Sequence, residues 1–181
     1  MPEGRPLSQA CLLTSGPDRQ DIRLTRGVYP KGDELISIPQ LNSDGDLPAG
    51  IHPATLRDLA VGFGSSSRER ERLFQRIRRI HRIASDSGHL ARLVVYGSFV
   101  TAKPVPNDVD VFLVMHDTFD LSQVTGEARL VFDHPAAQAY FGASIFWLRQ
   151  LAALPNEEGA VLGWQLKRDG TRRGIVEVME A

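Results

Sequence analysis

Cysteine is almost absent from this sequence, which has one, Cys11, among 181 residues. A single cysteine excludes an internal disulfide, and a lone thiol is typical of proteins kept in a reducing cytosol. Long apolar runs are also lacking, since no stretch approaches the roughly 20 consecutive apolar residues that a membrane-spanning helix needs. The N-terminal region has only a three-residue apolar patch, too short for the core of a signal peptide. These absences predict a cytoplasmic protein that does not enter a membrane.

Charge of either sign is not in excess, because the formal net charge is −1 at pH 7. The chain as a whole therefore offers no electrostatic reason to bind nucleic acid or a membrane surface. Its 181 residues are 42% hydrophobic, which is enough for one well-buried core and too little for two. Residues 1–46 are rich in Gly, Pro, Asp and Ser and predict an N-terminal extension, partly loop, with a strand-like run at 35–38. Residues 47–181 are predicted to form one folded domain.

Two helices are predicted before the centre of the domain. The segment 52–55 is expected to open the first, because proline suits the first helical position, and the glycines at 62 and 64 are expected to close it. One of the serines at 65–67 is expected to cap the second helix, which Gly88 ends. Its apolar residues recur at helical spacing and predict a face that lies on a sheet: Leu73, Ile77, Ile80 and Ala84.

Five apolar runs are typical of strands of a mixed sheet. They cover residues 91–96, 108–115, 143–148, 161–166 and 174–178. The last two are joined by a segment containing Asp169-Gly170, a pair that favours a tight hairpin. Short helices are predicted at 125–132 and 135–141. The pattern predicts an α/β domain with a mixed sheet of four to five strands and flanking helices.

Asp108 and Asp110 lie at the start of the second of these strands. Because side chains alternate along a strand, both carboxylates point to one face, about 7 Å apart along the chain. Two such carboxylates repel each other unless a cation or a proton lies between them. Mg²⁺ commonly binds one or two carboxylates and completes its coordination with phosphate oxygens and water. The competing interpretation is a turn at Asp108 with Asp110 paired to Lys103 or an arginine.

Gly97 and Ser98 follow the preceding strand directly. Glycine permits a positive φ and lets a ligand approach the backbone closely. The hydroxyl of Ser98 can cap a helical turn or donate to a phosphate oxygen. A Gly-Ser pair alone is usually only a turn, but its position between two apolar runs, ahead of the paired acids, favours phosphate contact.

The string YGSFVTAKPVPNDVDV, residues 96–111, resembles the signature of the DNA polymerase β-type nucleotidyltransferase superfamily. Together with LPAGIHPATL, residues 47–56, and Gly62-Phe63-Gly64, it is similar to a bacterial family of small, mostly uncharacterised nucleotidyltransferase-like proteins. The resemblance extends over about residues 47–178. It implies the polymerase β palm-like fold, binding of an NTP, and Mg²⁺ or Mn²⁺ as cofactor.

The resemblance assigns roles to individual residues. Asp108 and Asp110 correspond to the catalytic, metal-binding pair, and Gly97 and Ser98 to the phosphate-binding turn. Thr101 and Lys103 match the narrower family's string, although Lys103 is nearly as easily explained as an exposed loop lysine. The superfamily's third carboxylate falls at Ser144 in this chain, and serine is a poor ligand for Mg²⁺.

Two other acids are candidates for the missing carboxylate. They are Glu177, on the last predicted strand, and Asp133. Neither can be assigned to the face of the acidic pair from the sequence. If neither reaches that pair, the transferase activity is weak or lost.

An arginine stripe along the second helix raises the question of nucleic acid. It consists of Arg68, Arg72, Arg76 and Arg79. A solvated helix face is the ordinary interpretation, and contact with a nucleotide, RNA phosphates or an acidic partner is the alternative. The five histidines have no metal-ligand spacing. Phe146 and Trp147 are expected in the core, with base stacking as the alternative.

The sequence thus predicts a minimal nucleotidyltransferase that moves a nucleoside monophosphate from an NTP to a hydroxyl. The acceptor is left open between a protein, a small molecule and an RNA end. Small relatives in the superfamily act as antitoxins that modify a partner toxin protein, which makes a protein acceptor one candidate. The alternative is a nucleotidyltransferase-fold module that is catalytically weak or inactive and acts by binding nucleotide or protein. The sequence does not indicate the oligomeric state.

Overall fold

A computed structural model describes residues 38–179 of the chain. In this part of the chain five strands form one sheet, in the order β1-β5-β2-β3-β4. The strands are β1 (Ile51–Thr55), β2 (Leu90–Tyr96), β3 (Val109–Met115), β4 (Ala143–Arg149) and β5 (Ile175–Met179). The helices are α1 (Leu56–Leu59), continued by a π-helical turn (Ala60–Gly64), α2 (Arg68–Asp86), α3 (Gly126–Val131), α4 (His134–Phe141) and α5 (Glu157–Leu162).

The sheet is mixed. Strand β2 runs antiparallel to β3 and to β5, whereas β1 pairs with β5 and β3 pairs with β4 in parallel. The prediction of an α/β domain with a mixed sheet of four to five strands and flanking helices is therefore confirmed. Strands β2, β3 and β4 and helices α2, α3 and α4 lie close to where the sequence predicts them.

The sheet has one face packed against helices. Leu73, Ile77 and Ile80 of α2 are fully buried against residues such as Val111 and Leu113 of β3. Burying one such side chain stabilises a fold by roughly 1.5–3 kcal/mol relative to leaving it exposed, so this layer forms the main core. The Ser67 hydroxyl accepts from the Arg70 backbone N–H and caps α2 as predicted.

The opposite face of the sheet is covered only in part. Val94, Phe112 and Ile175 pack there with Val161 of α5, and Trp164 lies beside this smaller cluster. Alternation along β3 places Asp110 on this second face, two residues before Phe112. Asp110 is therefore on the side of the sheet away from α2.

The predicted helix start at 52–55 is wrong, because these residues belong to β1. Proline is tolerated here since β1 is an edge strand and does not need every backbone donor. Of residues 52–55 only Thr55 takes part in the helix. Its side chain caps α1 in a capping box with Asp58, and the Thr55 hydroxyl donates to the Asp58 carboxylate at 2.6 Å.

The predicted strand at 161–166 is also wrong. Asn156 accepts from the Gly159 backbone N–H and starts α5, with Glu157 and Glu158 in its first turn. A 3₁₀ turn (Gly163–Gln165) follows. The predicted hairpin reduces to an isolated bridge between Leu166 and Arg172, and the remaining strand, β5, pairs with β1 and β2 instead.

Most of the predicted N-terminal extension, including nearly all of the strand-like run at 35–38, lies outside the described residues. The described end of the extension folds onto the domain. Asp46 bridges to Thr101, and the Gly45 carbonyl accepts from the Ala102 backbone N–H at 2.8 Å. Within residues 38–179 no helix is both long and apolar enough to cross a bilayer.

Candidate nucleotide and metal site

The bend after β2 and the acids at the start of β3 meet at one point. Gly97 has a φ of 77° and begins a 3₁₀ turn (Gly97–Val100). A Cβ placed on Gly97 would lie 1.8 Å from the Oδ2 of Asp110, so that carboxylate packs directly on the glycine backbone. Tyr96 pairs with Asp110 across the two antiparallel strands, which brings the bend and the acid together. Only glycine fits both the conformation and the contact.

Asp108 precedes the first residue of β3 and acts electrostatically on Asp110. Its charge raises the pKa of both Asp110 and Tyr96. Within residues 38–179 the carboxylates of Asp108 and Asp110 accept no hydrogen bond and form no ion pair, although Arg173 and Arg168 act on Asp110 electrostatically. The alternative in which Asp110 is salt-bridged to Lys103 or an arginine is therefore not observed among the described residues.

The pKa of Asp110 is higher than that of an exposed aspartate. Burial, and then repulsion from Asp108, raise the pKa of Asp110 to about 6, while Arg173 and Arg168 oppose the rise. Burial and the same two carboxylates raise the pKa of the Tyr96 phenol, so Tyr96 stays protonated at neutral pH. The carboxylates of Asp108 and Asp110 repel each other when both are ionised, and a bound cation would reduce that repulsion.

Two arginines that sequence analysis did not select lie near the pair. Arg168 and Arg173 lie on either side of the turn at Gly170, and both act electrostatically on Asp110. The Nε of Arg173 is buried and has no hydrogen-bond partner. Positive charge beside the acidic pair therefore comes from the segment before β5. The sequence carried no signal for this role, because the Asp169-Gly170 pattern predicted an ordinary hairpin.

The other predicted phosphate-binding residues differ in what they do. Ser98 lies inside the 3₁₀ turn, and its carbonyl accepts from the Thr101 hydroxyl at 2.8 Å. Thr101 is buried, and its hydroxyl also accepts from the Lys103 backbone N–H at 3.2 Å. The hydroxyl of Thr101 is thus committed to the loop itself. The side chain of Lys103 is exposed and forms no ion pair within the described residues.

Arg70 of α2 binds the backbone of the segment 99–103, a role that the sequence did not reveal. It is 4% exposed and donates to four backbone carbonyls, those of Phe63, Phe99, Thr101 and Lys103, at 3.0, 2.9, 2.7 and 2.6 Å. Its guanidinium also lies 5.7 Å from the centre of the Phe99 ring. Burial lowers the pKa of Arg70, and the carbonyl dipoles compensate the buried charge.

Ser144, which the resemblance sets at the position of a third carboxylate, lies on the strand beside Asp110. Ser144 pairs with Asp110 across parallel strands β3 and β4, and its hydroxyl lies 3.3 Å from the Oε1 of Gln138. A serine is therefore the residue of β4 in register with Asp110.

The two substitute acids are engaged elsewhere. Glu177 is on the same face of the sheet, but it pairs with Val94 rather than Tyr96 and receives two bonds of 2.7 Å from Arg92. Asp133 caps α4 by accepting from the Ala136 backbone N–H at 3.0 Å. The structure does not bring either acid to Asp108 and Asp110.

No group of three or more His, Cys, Asp or Glu side chains suited to a metal ion occurs within residues 38–179. Two carboxylates that form no ion pair among the described residues nevertheless fit Mg²⁺, which takes one or two protein carboxylates when phosphate oxygens complete its coordination. The donor set of Asp108 and Asp110 therefore suits a magnesium ion that arrives with a phosphate ligand, and does not suit a cage built from protein alone.

The arginine stripe of α2 is partly used inside the fold. Arg79 forms a 2.7 Å ion pair with Glu127 of α3, and Arg76 donates to the Gly142 carbonyl at 3.2 Å. Arg72 pairs with Glu69 on its own helix at 3.4 Å. Arg68 is exposed. The stripe mainly attaches α2 to its neighbours, so it lends little support to a nucleic-acid surface.

A cavity of about 440 Å³ lies at the other end of the sheet. It is lined by the end of α2 near Asp86, by His89 before β2, and by Phe119 and Asp120 after β3. The candidate residues are absent from its walls, since Gly97 follows the end of β2 and Asp110 lies at the start of β3.

Residues 39–179 match the model of a family of unknown function, DUF6932. The chain belongs to that family. The match covers nearly all of the described part of this DUF6932 member, from before β1 to the end of β5. No curated protein and no solved structure matches the chain. The family description carries no activity, so the function of this DUF6932 domain has to be argued from its residues.

Proposed function

We propose that this DUF6932 protein is a magnesium-dependent nucleotidyltransferase that transfers a nucleoside monophosphate from an NTP to a hydroxyl acceptor. The observation that carries the proposal is the contact between the Asp110 carboxylate and the Gly97 backbone, beside Asp108. Two carboxylates without an ion pair among the described residues thus lie beside a glycine bend, where a cation bound to them would bring a phosphate close to that bend. The palm-like nucleotidyltransferase fold is part of the proposal, supported by the mixed sheet with α2 packed on one face and the second face covered only in part.

Asp108 and Asp110 are the residues that would hold the ion. When bound, Mg²⁺ neutralises phosphate charge and lowers the pKa of an acceptor hydroxyl. Mn²⁺ suits the same oxygen ligands. Keeping both carboxylates ionised without a cation is costly, as the raised pKa of Asp110 indicates. A bound cation would reduce that repulsion and would carry positive charge toward the triphosphate, so we expect the metal and the nucleotide to bind together.

The remaining residues bind and orient the triphosphate. Arg168 and Arg173 supply positive charge, and the unpaired Nε of Arg173 is a donor for an anionic oxygen. The Ser98 hydroxyl and the exposed Lys103 border the same bend. The acceptor oxygen forms a bond to the α-phosphorus, the bond to the bridging α–β oxygen breaks, and pyrophosphate leaves while the hydroxyl proton passes to solvent. Catalysis of this kind depends on positioning and charge neutralisation.

The test is an assay of the full chain with each NTP labelled at the α-phosphate, in Mg²⁺ or Mn²⁺, with candidate protein and RNA acceptors. We expect pyrophosphate release and label transfer that fall at least about a hundredfold in Asp108→Ala and Asp110→Ala. Asp86→Ala, an exposed acid at the far end of α2, is the matched control and should leave the rate unchanged.

A second function is favoured by one observation, the serine at position 144 in register with Asp110. Without a third carboxylate the domain would bind Mg²⁺ and nucleotide and turn over slowly or not at all. NTP binding that depends on Asp108 and Asp110, with no label transfer to any acceptor, would support this binding module. Absence of both binding and transfer would disprove both functions.

A further inference from the structure

Asp46 lies where three segments of the chain meet. Its backbone forms an isolated antiparallel bridge with Thr101, in the loop between β2 and β3. Its carboxylate accepts a hydrogen bond of 3.0 Å from the Nζ of Lys167, at the start of the segment that carries Arg168 and Arg173. One residue of the N-terminal extension therefore contacts both the loop that follows the glycine bend and the segment that brings positive charge to the acidic pair.

The position of Asp46 is fixed by its own turn. Its backbone N–H donates to the side-chain oxygen of Asn42 at 3.0 Å, and its carbonyl accepts from the Asn42 backbone N–H at 2.8 Å. Leu47, the next residue, is 1% exposed. The side chains of Asp46 and Lys167 are 13% and 27% exposed, so their ion pair is screened less by solvent than a surface pair. The carboxylate of Asp46 is thus held in place when it binds Lys167.

The backbone bonds of the arginine-bearing segment are mostly local. The Lys167 backbone N–H donates to the Thr171 carbonyl at 2.8 Å, and the Gly170 N–H donates to the Lys167 carbonyl at 3.0 Å. The Arg173 N–H donates to the Gln165 carbonyl at 3.0 Å. Bonds of this kind set the shape of the turn. They do not set where the turn lies relative to Asp108 and Asp110.

Residues 46 and 47 attach this segment to the domain at two points. The first is the ion pair between Asp46 and Lys167. The second is Gly174, whose N–H donates to the Leu47 carbonyl at 2.8 Å. The two arginines of the segment lie between these points in the chain, and both act electrostatically on Asp110. Their distance from the acidic pair therefore depends on residues 46 and 47.

Lys167 differs from the two arginines in having its charge already paired. Its hydrogen bond with Asp46 is the main cause that raises the pKa of Lys167. A second carboxylate, that of Asp169, lies 3.8 Å from the same Nζ. A lysine engaged by two carboxylates has less charge to offer a phosphate, so its contribution to the site is indirect.

We infer that Asp46 is a positioning residue of the proposed transferase. Through Lys167 it sets where Arg168 and Arg173 lie, and through its bridge to Thr101 it joins that segment to the loop after the glycine bend. The inference rests on the proposed function, since it takes this segment to bind the triphosphate. It adds that a residue of the N-terminal extension, outside the sheet, is needed for phosphate binding although it touches no phosphate itself.

The test is calorimetric titration of the full chain with inorganic tripolyphosphate in Mg²⁺. We expect Asp46→Asn and Lys167→Met each to weaken tripolyphosphate binding about tenfold, and the double variant to bind no more weakly than either, because each change breaks the same pair. Lys167→Arg should retain the affinity, since a guanidinium can still bind Asp46. Asp44→Asn, which changes an exposed acid of the same turn, is the matched control and should leave the affinity unchanged.

The outcomes separate this inference from the proposed function. Weaker binding in Lys167→Met with unchanged or tighter binding in Asp46→Asn would mean that Lys167 contacts phosphate directly, and would overturn the inference. Unchanged affinity in both variants, with a lower free energy of unfolding, would show a role in stability alone and would also overturn it. Both results leave the transferase proposal intact.

Failure of the wild type to bind tripolyphosphate, or binding that Asp108→Ala/Asp110→Ala leaves unchanged, would overturn the proposed function and the inference together. Chemical denaturation of each variant establishes that it is folded before titration. Lys167→Met, which leaves the backbone bridge of Asp46 to Thr101 in place, carries the test where Asp46→Asn does not fold.

Discussion

Gly97 shows how one residue brings two segments of this site together. Its φ of 77° is one that L side chains rarely adopt, and its missing Cβ leaves the space that the Asp110 carboxylate fills. We expect Gly97→Ala to lower the free energy of unfolding by about 3 kcal/mol or more, because strain and overlap add. Chemical denaturation of the full chain measures this change.

Gly88 provides the matched control, since it has a φ of 70° and a methyl group added there would meet no other atom within 4 Å. Gly88→Ala should therefore cost only the conformational strain, about 1 kcal/mol. Replacing Asp110 by alanine in the Gly97→Ala background should recover part of the loss, as a double-mutant cycle. Equal losses for Gly97→Ala and Gly88→Ala would show that the carboxylate does not pack on Gly97.

Because of Asp110, we expect the free energy of unfolding to fall as the pH rises, the opposite of what most carboxylates cause. The pKa of Asp110 is raised from 3.8 to about 6, so the folded state binds the proton more tightly than the unfolded state does. Stability from this group is complete below the unfolded pKa and is lost as the pH rises through about 6. Asp110→Asn should therefore stabilise the metal-free protein at pH 7.5 more than at pH 4.5, by about 1 kcal/mol after allowance for solvent screening.

Thermal unfolding of wild type and Asp110→Asn at the two pH values, in chelator, measures the effect. Asp86→Asn, an exposed acid far from the pair, should show no such difference between the two pH values. The same change in Tm for Asp110→Asn at both pH values would argue against a strained carboxylate pair.

At the scale of elements, helix α2 supports the loop of the site through a single side chain. Arg70 binds four carbonyls, three of them in residues 99–103. Arg70→Met should lower the free energy of unfolding by about 3 kcal/mol or more, because the buried carbonyls lose their donors. Hydrogen exchange of residues 99–103 should increase in the same variant.

Arg78 lies on the exposed side of α2 and is the matched control. Arg78→Met should change stability by less than about 0.5 kcal/mol. If Arg70→Met were as mild as Arg78→Met, the loop would have to be held by its other contacts, such as the Thr101 hydroxyl.

The pairing of β2 with β5 bears on the role of Glu177. Arg92 of β2 binds both carboxylate oxygens of Glu177 at 2.7 Å, and the two side chains are 14% and 12% exposed. Glu177→Gln should lower stability by about 1–3 kcal/mol through loss of a charge-assisted pair and leave Mg²⁺ and ATP affinity unchanged. Denaturation and calorimetry on the same samples separate the two effects. A loss of Mg²⁺ affinity at unchanged stability would instead make Glu177 the third acid of the site.

At the scale of the whole molecule, we expect Mg²⁺ and ATP to raise the Tm, because the cation would reduce the repulsion between Asp108 and Asp110. Mg²⁺ with ATP should stabilise the full chain by about 2.7 kcal/mol at a ligand concentration of 100 Kd. The Asp108→Ala/Asp110→Ala variant should show none of this increase. Thermal unfolding with ATP alone, Mg²⁺ alone and both together gives the measurement, and an equal increase in the double variant would place the nucleotide elsewhere on the protein.

The sequence by itself determined the elements that depend on local pattern. The periodic apolar residues of α2, the Ser67 cap and the apolar runs of β2, β3 and β4 are encoded locally and lie near their predicted positions. The shared face of Asp108 and Asp110 stays a prediction, because β3 begins at Val109, whereas the strand that carries Ser144 does lie beside β3, with Ser144 in register with Asp110. These features require only neighbouring residues, or neighbouring strands in register.

The tertiary structure decided what depends on distant partners. Local propensity favoured a helix at 52–55 and a strand at 161–166, but pairing of β1 with β5 and the packing of Val161 on the second face reversed both. The bonds from Arg70, the commitment of Glu177 to Arg92, and the 40% exposure of Phe146, which the sequence predicts in the core, arise between residues far apart in the chain. Spacing along a sequence carries no information about which distant group completes a buried charge or how much of a side chain stays exposed, so these features required the fold.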